Sequence, residues 1–558
     1  CMETLIQLID CAAREFPDTV ALEGDVEGAG RISLTRTALV RRAAALAGRL
    51  VAAGVGPDDP VALLSPNRPE WAIGYFATLL AGGVLIPLDV NLRTGELSNI
   101  LGRSGAVVLL TDGTKLEDAR DLAMALSAPI QLFRIDEPVE ADIHPLANWP
   151  GAKRSAGDLA VISFSSGTTG APKGVMLTHG NIASNARATA APFPCGEQDV
   201  FLSVLPLHHM LESTAGLLVP LIKGARVYYL ASLNPRVMNE AMAREKISIC
   251  LMVPALARLM HRRIMTAATE AGGLKTIVFK ALFALSRAML AIGLRLGSTF
   301  FPQVRERVAP SLRYFVSGGA ALDPVIARDL LALGIEVIQG YGLTETSPVT
   351  HANRPGKGNR IGTVGPPIDG VEVKIAPAPG TAVGEGEILI KGPNVMKGYF
   401  GNPELTEEIL QDGWFHTGDI GRVGRGGYLT ICGRSKNVIV TESGKNIYPE
   451  EVEAELARSL MFSSTCVIGR KSPRGGEDVF AVVVLDTDAE IAGTEADRED
   501  VVWAELTRLS SELADYKRVS DFVIWPGEEM PRTTTLKIKR EDVKAVLCEM
   551  PQYSYKDF

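Results

Sequence analysis

Residues 164–174 read FSSGTTGAPKG. Ser165, Ser166, Thr168 and Thr169 supply hydroxyls, Gly167, Gly170 and Gly174 supply backbone freedom, and Lys173 supplies one cation. Glycines let a backbone turn tightly and approach a ligand closely, and amides, hydroxyls and an ammonium are the donors that a phosphate recruits. The P-loop of NTPases needs Gly-Lys followed by Ser or Thr. The order here is Pro172-Lys173-Gly174, and no Walker-type aspartate accompanies it. The stretch therefore reads as phosphate-binding by another arrangement, against the plainer alternative of a solvated turn between a strand and a helix. Two further loops, in SGGAALDP (317–324) and GYGLTETSP (340–348), also close strand-like runs. Convergence of three such loops is harder to dismiss than one.

Such loops must be held by the elements before them. Apolar runs at VALLS (61–65), VLIPLD (84–89), AVVLLTD (106–112), LAVISFSS (159–166), RVYYLAS (226–232), ISICLMV (247–253), LRYFVSGGA (312–320) and EVIQGYG (336–342) alternate with helical stretches. Short apolar strands between helices predict parallel sheets covered on both faces, with ligands gathering where strands end in Gly-rich loops. From about residue 361 the chain turns to Gly, Pro and short β runs, as in a small barrel or distorted sheet. Beyond GRSKNVIV (433–440) a shorter α+β pattern follows, with a helix at PEEVEAELARSL, strands at TCVIGR and VFAVVVLD, a helix near 500–515 and a strand at DFVIWP. A domain boundary is expected at Arg434–Lys436, and the acidic stretch 480–500 reads as a surface loop.

Composition sets the limits. A chain of 558 residues is too long for one core, so two or more domains are expected, and 46% hydrophobic with 22% charged residues is ordinary for a folded soluble enzyme. The net charge of −8 argues against a general nucleic-acid surface and against strong general attraction to anionic lipid. Seven scattered cysteines without a CxxC pair suit reduced, non-ligand thiols in a cytoplasmic protein. No signal peptide and no spanning helix are expected. The nearest candidate is IVFKALFALSRAMLAIGLRLGSTFF (277–301), whose Lys280, Arg287 and Arg295 fall in one stripe of a helix. It reads either as an amphipathic basic helix able to lie in a membrane interface, or as a surface helix with its apolar face on the core.

The loop SSGTTGAPKG matches the signature [ST]SG[ST]TGxPKG in full, and the chain resembles the adenylate-forming superfamily of acyl- and aryl-CoA synthetases, luciferases and adenylation domains. Its other motifs follow in order. YGLTET (341–346) resembles the adenine and magnesium motif, with Gly340, Tyr341 and Gly342 near the purine, Thr344 for the α-phosphate and Glu345 as a hard oxygen ligand for Mg²⁺. Alone it could be only a capped helix start. SGGA resembles the strand end lining the acyl and adenine pockets, with Gly318, Gly319 and Ala320. In GWFHTGD (413–419), Asp419 takes the ribose-binding place, and Arg434 of GRSK stands where the family has its ribose-contacting arginine. Lys436 falls on the family's hinge, His209 of PLHHM on its aromatic position near the carboxylate, and Ser443, Gly444 and Lys445 near its thiol tunnel. PRTTTLKIKR (531–540) places the adenylation lysine at Lys537, with Leu536 where the family has glycine and Lys539 as the nearest competitor.

The resemblance covers nearly the whole chain. It implies an α/β fold with a large N-terminal domain (1–433) of parallel-sheet αβαβα layers plus a distorted β-barrel (about 361–433), a hinge at 434–437 and a small mobile α+β domain (438–558). It implies ATP, Mg²⁺ and coenzyme A. A carboxylate attacks the α-phosphate, pyrophosphate leaves, and a thiol then takes the acyl group from AMP. Ser165 through Gly170 and Lys173 would hold the departing phosphates, while Lys537 assists attack. The long stretch between CLMVPALARLM and SGGA resembles long-chain fatty acid–CoA ligases and points to a medium-to-long fatty acid, with transfer to a carrier protein or an aryl acid as alternatives. Long-chain relatives are often homodimers, and peripheral membrane contact through 277–301 fits an acyl-chain source. A non-catalytic binding protein on the same fold would be expected to lack Glu345, Asp419, Arg434 or Lys537, and all four are present.

Overall fold

The computed structural model describes residues 2–558 apart from 27, 127, 139–145, 147, 148, 150, 166–171, 271, 309, 460, 474, 487–494, 534–536, 552, 555 and 556. Compactness divides the chain into two units, Cys1–Glu372 with Lys391–Phe415, and Val373–Ile390 with His416–Phe558. The chain therefore passes between units within the strands Glu372–Ala376, Gly386–Lys391 and Trp414–Val423. The expected boundary at Arg434–Lys436 lies inside the second unit by this measure.

The first unit holds two sheets. In one, Leu159–Ser165, Val84–Leu88, Pro60–Leu64, Val108–Thr111 and Gln131–Arg134 run parallel in that spatial order, and the antiparallel pair Lys173–Thr178 and Gly398–Tyr399 extends the Leu159 edge. The other has eight strands. Its six central members, Val337–Gly342, Tyr314–Ser317, Ile249–Met252, Val200–Ser203, Arg226–Tyr229 and Val20–Val26, are parallel neighbours, flanked by antiparallel Val349–Ala352 and Gly30–Thr35. Parallel strands are covered on both faces, so their sequences are apolar without alternation, and Val61 to Leu64, Val84 to Ile86 and Val108 to Leu110 are all buried. The helix Trp71–Ala81 is buried at every residue, as its all-round apolar sequence requires.

In the second unit, Glu372–Ala376, Gly386–Lys391, Trp414–Val423 and Leu429–Arg434 form a small β layer. Beyond it, Phe462–Lys471 pairs antiparallel with Glu477–Leu485, which pairs parallel with Asp521–Ile524. Alternate residues of the Glu477–Leu485 strand feed two apolar clusters, one with Val452, Leu456, Val502 and Leu506, the other with Trp525, Val543 and Leu547. Arg540 forks onto both carboxylate oxygens of Glu453 at 2.7 Å, tying the last helix to Pro449–Leu456.

Two expectations change. The helix within 277–301 spans Gly273–Ala291 and stops there. Gly293 adopts φ +84°, its N–H bonds Leu290 O at 3.0 Å, and Leu294 N–H bonds Met289 O at 2.9 Å, the paired closure that ends a helix at a left-handed glycine. Arg295 lies outside the helix and pairs with Glu336 at 2.7 Å, so the three cations do not share one helical stripe. Within the acidic stretch 480–500, the strand runs to Leu485 and a helix spans Glu495–Ser510, while 487–494 lie outside the described residues.

Candidate active site

The carboxyl ends of the parallel strands in the eight-stranded sheet bring three loops together. Val200–Ser203 leads into Pro206–Met210, Tyr314–Ser317 into Gly318–Ala320, and Val337–Gly342 into Thr344–Ser347. A Cβ on Gly318 would meet Leu211 Cδ2 at 2.9 Å, and Thr214 Oγ1 donates to Ser347 O at 3.2 Å, so all three loops meet. Gly342 must be glycine, because a Cβ there would lie 1.7 Å from Pro348 O. Tyr341 sits opposite His351 across the antiparallel pair, with ring centroids 6.2 Å apart. Thr344 and Glu345 occupy a tight 3₁₀ turn and both are half-buried.

That turn is pinned from several sides. Asn185 and Asn394 donate to Thr346 O at 3.2 and 2.9 Å, Ser347 Oγ donates to Asn394 O at 2.9 Å, and Met396 N–H bonds Glu345 O at 2.8 Å. Tyr399 Oη donates to Glu345 Oε1 at 2.8 Å. Burial, then the Glu345 charge, push the Tyr399 phenol well above its usual range, so it stays a neutral donor. Tyr399 pairs across the sheet with Val175, and the Lys173 ammonium stands 5.5 Å from its ring centroid. Through Tyr399, the foot of the 164–174 loop and the carboxylate of the turn share one support. Ser165 pairs with Lys173 in the sheet, while Ser166, Gly167, Thr168, Thr169 and Gly170 lie outside the described residues.

The 206–210 loop is clamped by Asn67, whose amide donates to Ser203 Oγ at 3.1 Å and Leu205 O at 2.6 Å and whose oxygen accepts from Leu207 N–H at 2.8 Å. The His208 and His209 rings lie 4.2 Å apart. Burial lowers His208 to about 4, so it is neutral, 3.6 Å from Asp89. Three residues after His209, Glu212 opens a turn with π-helical bonding in which Val219 N–H reaches back to Thr214 O, a widening that recurs at functional sites. Glu212 is fully buried and accepts from Ser203 Oγ at 2.6 Å, and burial pushes its carboxyl up to about 8.

The second unit holds the remaining candidates. Asp419 and Arg434 face each other across paired strands, with Arg434 Nε 2.8 Å from Asp419 Oδ1. Asp419 is buried and Arg434 half-exposed. Glu387 shapes the preceding turn by accepting from Gly418 N–H at 3.0 Å and contacting His416 Nδ1 at 3.0 Å. Lys436 is exposed in the 3₁₀ turn Ser435–Asn437 directly after Arg434, and Ser435 Oγ donates to Gly418 O at 3.0 Å. Ser443, Gly444 and Lys445 form the tip of a hairpin, with Gly444 at φ +73° and Lys445 Nζ 4.4 Å from the Tyr516 ring centroid. Lys537 is exposed, its N–H bonded to Thr533 Oγ1 at 3.2 Å, whereas Lys539 directly precedes the last helix with its ammonium 3.6 Å from Asp542. Leu536, the departure from the family's glycine, lies outside the described residues.

A family model described as "AMP-binding enzyme" matches residues 9–400. The chain belongs to the AMP-binding enzyme family. A feruloyl-CoA synthase from an Amycolatopsis species is 33% identical over 521 residues, covering 92% of this chain and 94% of that protein. A medium-chain fatty-acid–CoA ligase of Escherichia coli K12 is 31% identical over 551 residues, covering 95% and 88%. The crystal structure of ATP-bound MatB from Rhodopseudomonas palustris matches with a TM-score of 0.75 at 27% identity, over 97% of this chain and 98% of that one.

The matched region of this AMP-binding enzyme contains the 164–174 loop, His209, Gly318 to Ala320, the 341–346 turn and Tyr399. Sequence reasoning missed Asn67, Asn185, Glu212, Asn394 and Tyr399. Only Glu212 carried a signal, being an acid in an otherwise apolar run after the two histidines. The others are ordinary polar residues whose role depends on sheet pairing across long stretches of chain.

Proposed function

We propose that this AMP-binding family enzyme is an acid–thiol ligase. A carboxylate oxygen attacks the α-phosphorus of ATP, the bond to the bridging oxygen breaks and pyrophosphate leaves. A thiol sulfur then attacks the acyl carbonyl carbon, giving a thioester and AMP. The observation that carries this is the pinned Glu345 turn, joined through Tyr399 to Lys173 at the foot of the phosphate-loop sequence. Little covalent work falls to the protein, and what it supplies is position and fixed charge.

In this reading Lys173 and the hydroxyls of 165–169 retain the leaving pyrophosphate, Thr344 donates toward the α-phosphate, and Asp419 and Arg434 take the ribose. Glu345 fits Mg²⁺, since a carboxylate whose one oxygen already accepts from a phenol is held in a single orientation for a hard cation. Bound there, Mg²⁺ would offset phosphate charge. Lys537 brings an ammonium to the α-phosphate in the first step, and Lys436 is the hinge. Ser443, Gly444 and Lys445 face the thiol in the second step.

The acid in this proposal is a medium-to-long fatty acid and the acceptor coenzyme A. Full-length similarity to a fatty-acid–CoA ligase and the long helical stretch 254–308 support it. A second reading, an aryl acid of the ferulate kind, is favoured by the similarity to feruloyl-CoA synthase. Pyrophosphate release measured across fatty acids of graded length and across cinnamate-type acids, with and without coenzyme A, separates them. Release that needs no acid would end the ligase reading. A preference for aryl acids would replace only the substrate, and thioester formed solely on a carrier protein would replace only the acceptor.

A further inference from the structure

The helix Gly273–Ala291 is apolar on two opposite sides. Inward, Phe279 and Phe283 set their rings 5.3 and 6.4 Å from that of Phe301, and Ser286 Oγ donates to Ala332 O at 2.7 Å. Outward, Leu274, Ile277, Val278 and Leu285 project on the far side, together with alanines and no charged residue, and Ile292 and Leu294 continue the strip past the helix end. Leu274 is 75% exposed, Ile277 65% and Ile292 70%. An apolar helix side belongs on a core or against a partner, and only one of the two sides here has a core.

The surrounding charge says which partner. Residues 254–308 hold nine Lys and Arg against two acids, a net +7 in a chain of net −8. Where the apolar strip ends, an open groove of about 550 Å³ is lined by Arg287, Ile292, Arg295, Arg328 and Lys357. Two acids meet its cations from neighbouring elements: Asp329 lies 3.4 Å from Arg287 and Glu336 2.7 Å from Arg295. Arg328 and Lys357 are exposed and have no ion pair among the described residues. A second copy on this face would set +7 against +7, which disfavours self-pairing, whereas an anionic lipid surface complements both the strip and the groove.

We propose that the outer side of the 273–291 helix docks on an anionic phospholipid bilayer, with Arg328 and Lys357 placing a lipid phosphate in the adjoining groove. The contact is peripheral, since among the described residues no helix is long and apolar enough to cross a membrane. At ~1.5 Å rise per residue the helix offers a rod of roughly 28 Å to lie in the interface.

Co-sedimentation of the full chain with vesicles of phosphatidylcholine, alone or mixed with phosphatidylglycerol, tests this. Binding should need the anionic lipid and weaken in high salt. Ile277→Asp with Ile292→Asp, and separately Arg328→Glu with Lys357→Glu, should each weaken binding by about tenfold or more. Activity on a soluble short-chain acid should stay unchanged, which shows that the variants fold. Equal binding to both vesicle types, or double variants that bind as the parent does, would overturn the proposal. So would a dimer in sedimentation velocity that Ile277→Asp dissolves, because the face would then belong to a second copy.

Discussion

The two units hold their candidate groups in opposite ways. In the first, Glu345 sits in a turn fixed by Asn185, Asn394, Met396 and Tyr399, beside strands whose side chains are buried. In the second, Lys436, Ser443 and Lys537 are exposed on turns and hairpin tips. Groups that stabilise a growing charge work best when they need no rearrangement, whereas groups that must act at different steps need freedom. Under the proposed function, the contrast suits fixed charge at Glu345 and timed delivery at Lys537, with buried Asp419, paired to Arg434 at 2.8 Å, as the fixed exception in the second unit.

The sharpest break of that contrast is at Glu345. Glu345→Ala should cut acid-dependent pyrophosphate release by about 10³-fold, the scale of losing a metal or oxyanion partner. Tyr399→Phe, which keeps the ring and removes the 2.8 Å hydrogen bond, should cost about tenfold and raise the Mg²⁺ needed for half-maximal rate. If Tyr399→Phe leaves the Mg²⁺ dependence where it was, the phenol does not orient the carboxylate.

Lys537 tests the other side. Lys537→Ala should lower adenylation by about 10²-fold while leaving thioester formation from supplied acyl-adenylate near the parent rate. Equal loss in both steps would mean a structural role. Lys539→Ala serves as the control and should change little, since that ammonium lies near Asp542.

A smaller and more selective effect is expected at Lys436. Lys436→Pro restricts the one turn in which the family places its hinge, so thioester formation should fall about tenfold further than adenylation. Stopped-flow measurement of each half-reaction reads the ratio, and equal losses would remove the hinge from this position.

How much of this was legible in the sequence divides along the same line. The parallel sheets were readable because strands buried on both faces are apolar without interruption, and Val84 to Leu88 is buried throughout. The loops were readable because glycine is demanded by geometry, as at Gly342. The end of the Gly273–Ala291 helix was also written in the chain, at Gly293, yet the apolar run beyond it hid the stop. Tyr399 and the buried asparagines left no trace, because the turn residues they bond lie 45 or more residues away and their types recur throughout the chain.

Glu212 stands apart from both sets, and pH isolates it. Its carboxyl is packed so closely over Gly216 that a Cβ there would lie 2.6 Å from Glu212 Cδ, and burial pushes it up to about 8 from the ordinary 4.5. The folded state thus holds a proton that the unfolded chain releases, so the stabilising difference is present below the unfolded pKa and is lost as pH rises through the folded one. The buried histidines act on the acid flank. Burial lowers His179 and His208 to about 4 and His351 to about 3 from 6.5, so stability falls as pH drops below 6.5. Glu212→Gln keeps the shape and the bond to Ser203 without the titrating proton. Its melting temperature should match the parent near pH 5 and exceed it progressively toward pH 8, while the acid flank stays unchanged. The gap at pH 8 should correspond to a few kcal/mol at most, since each pH unit separating the unfolded and folded titrations contributes about 1.4 kcal/mol before the site relaxes. Parallel melting curves across that range would show that Glu212 is ionised in the fold, and that the turn it opens tolerates a buried charge.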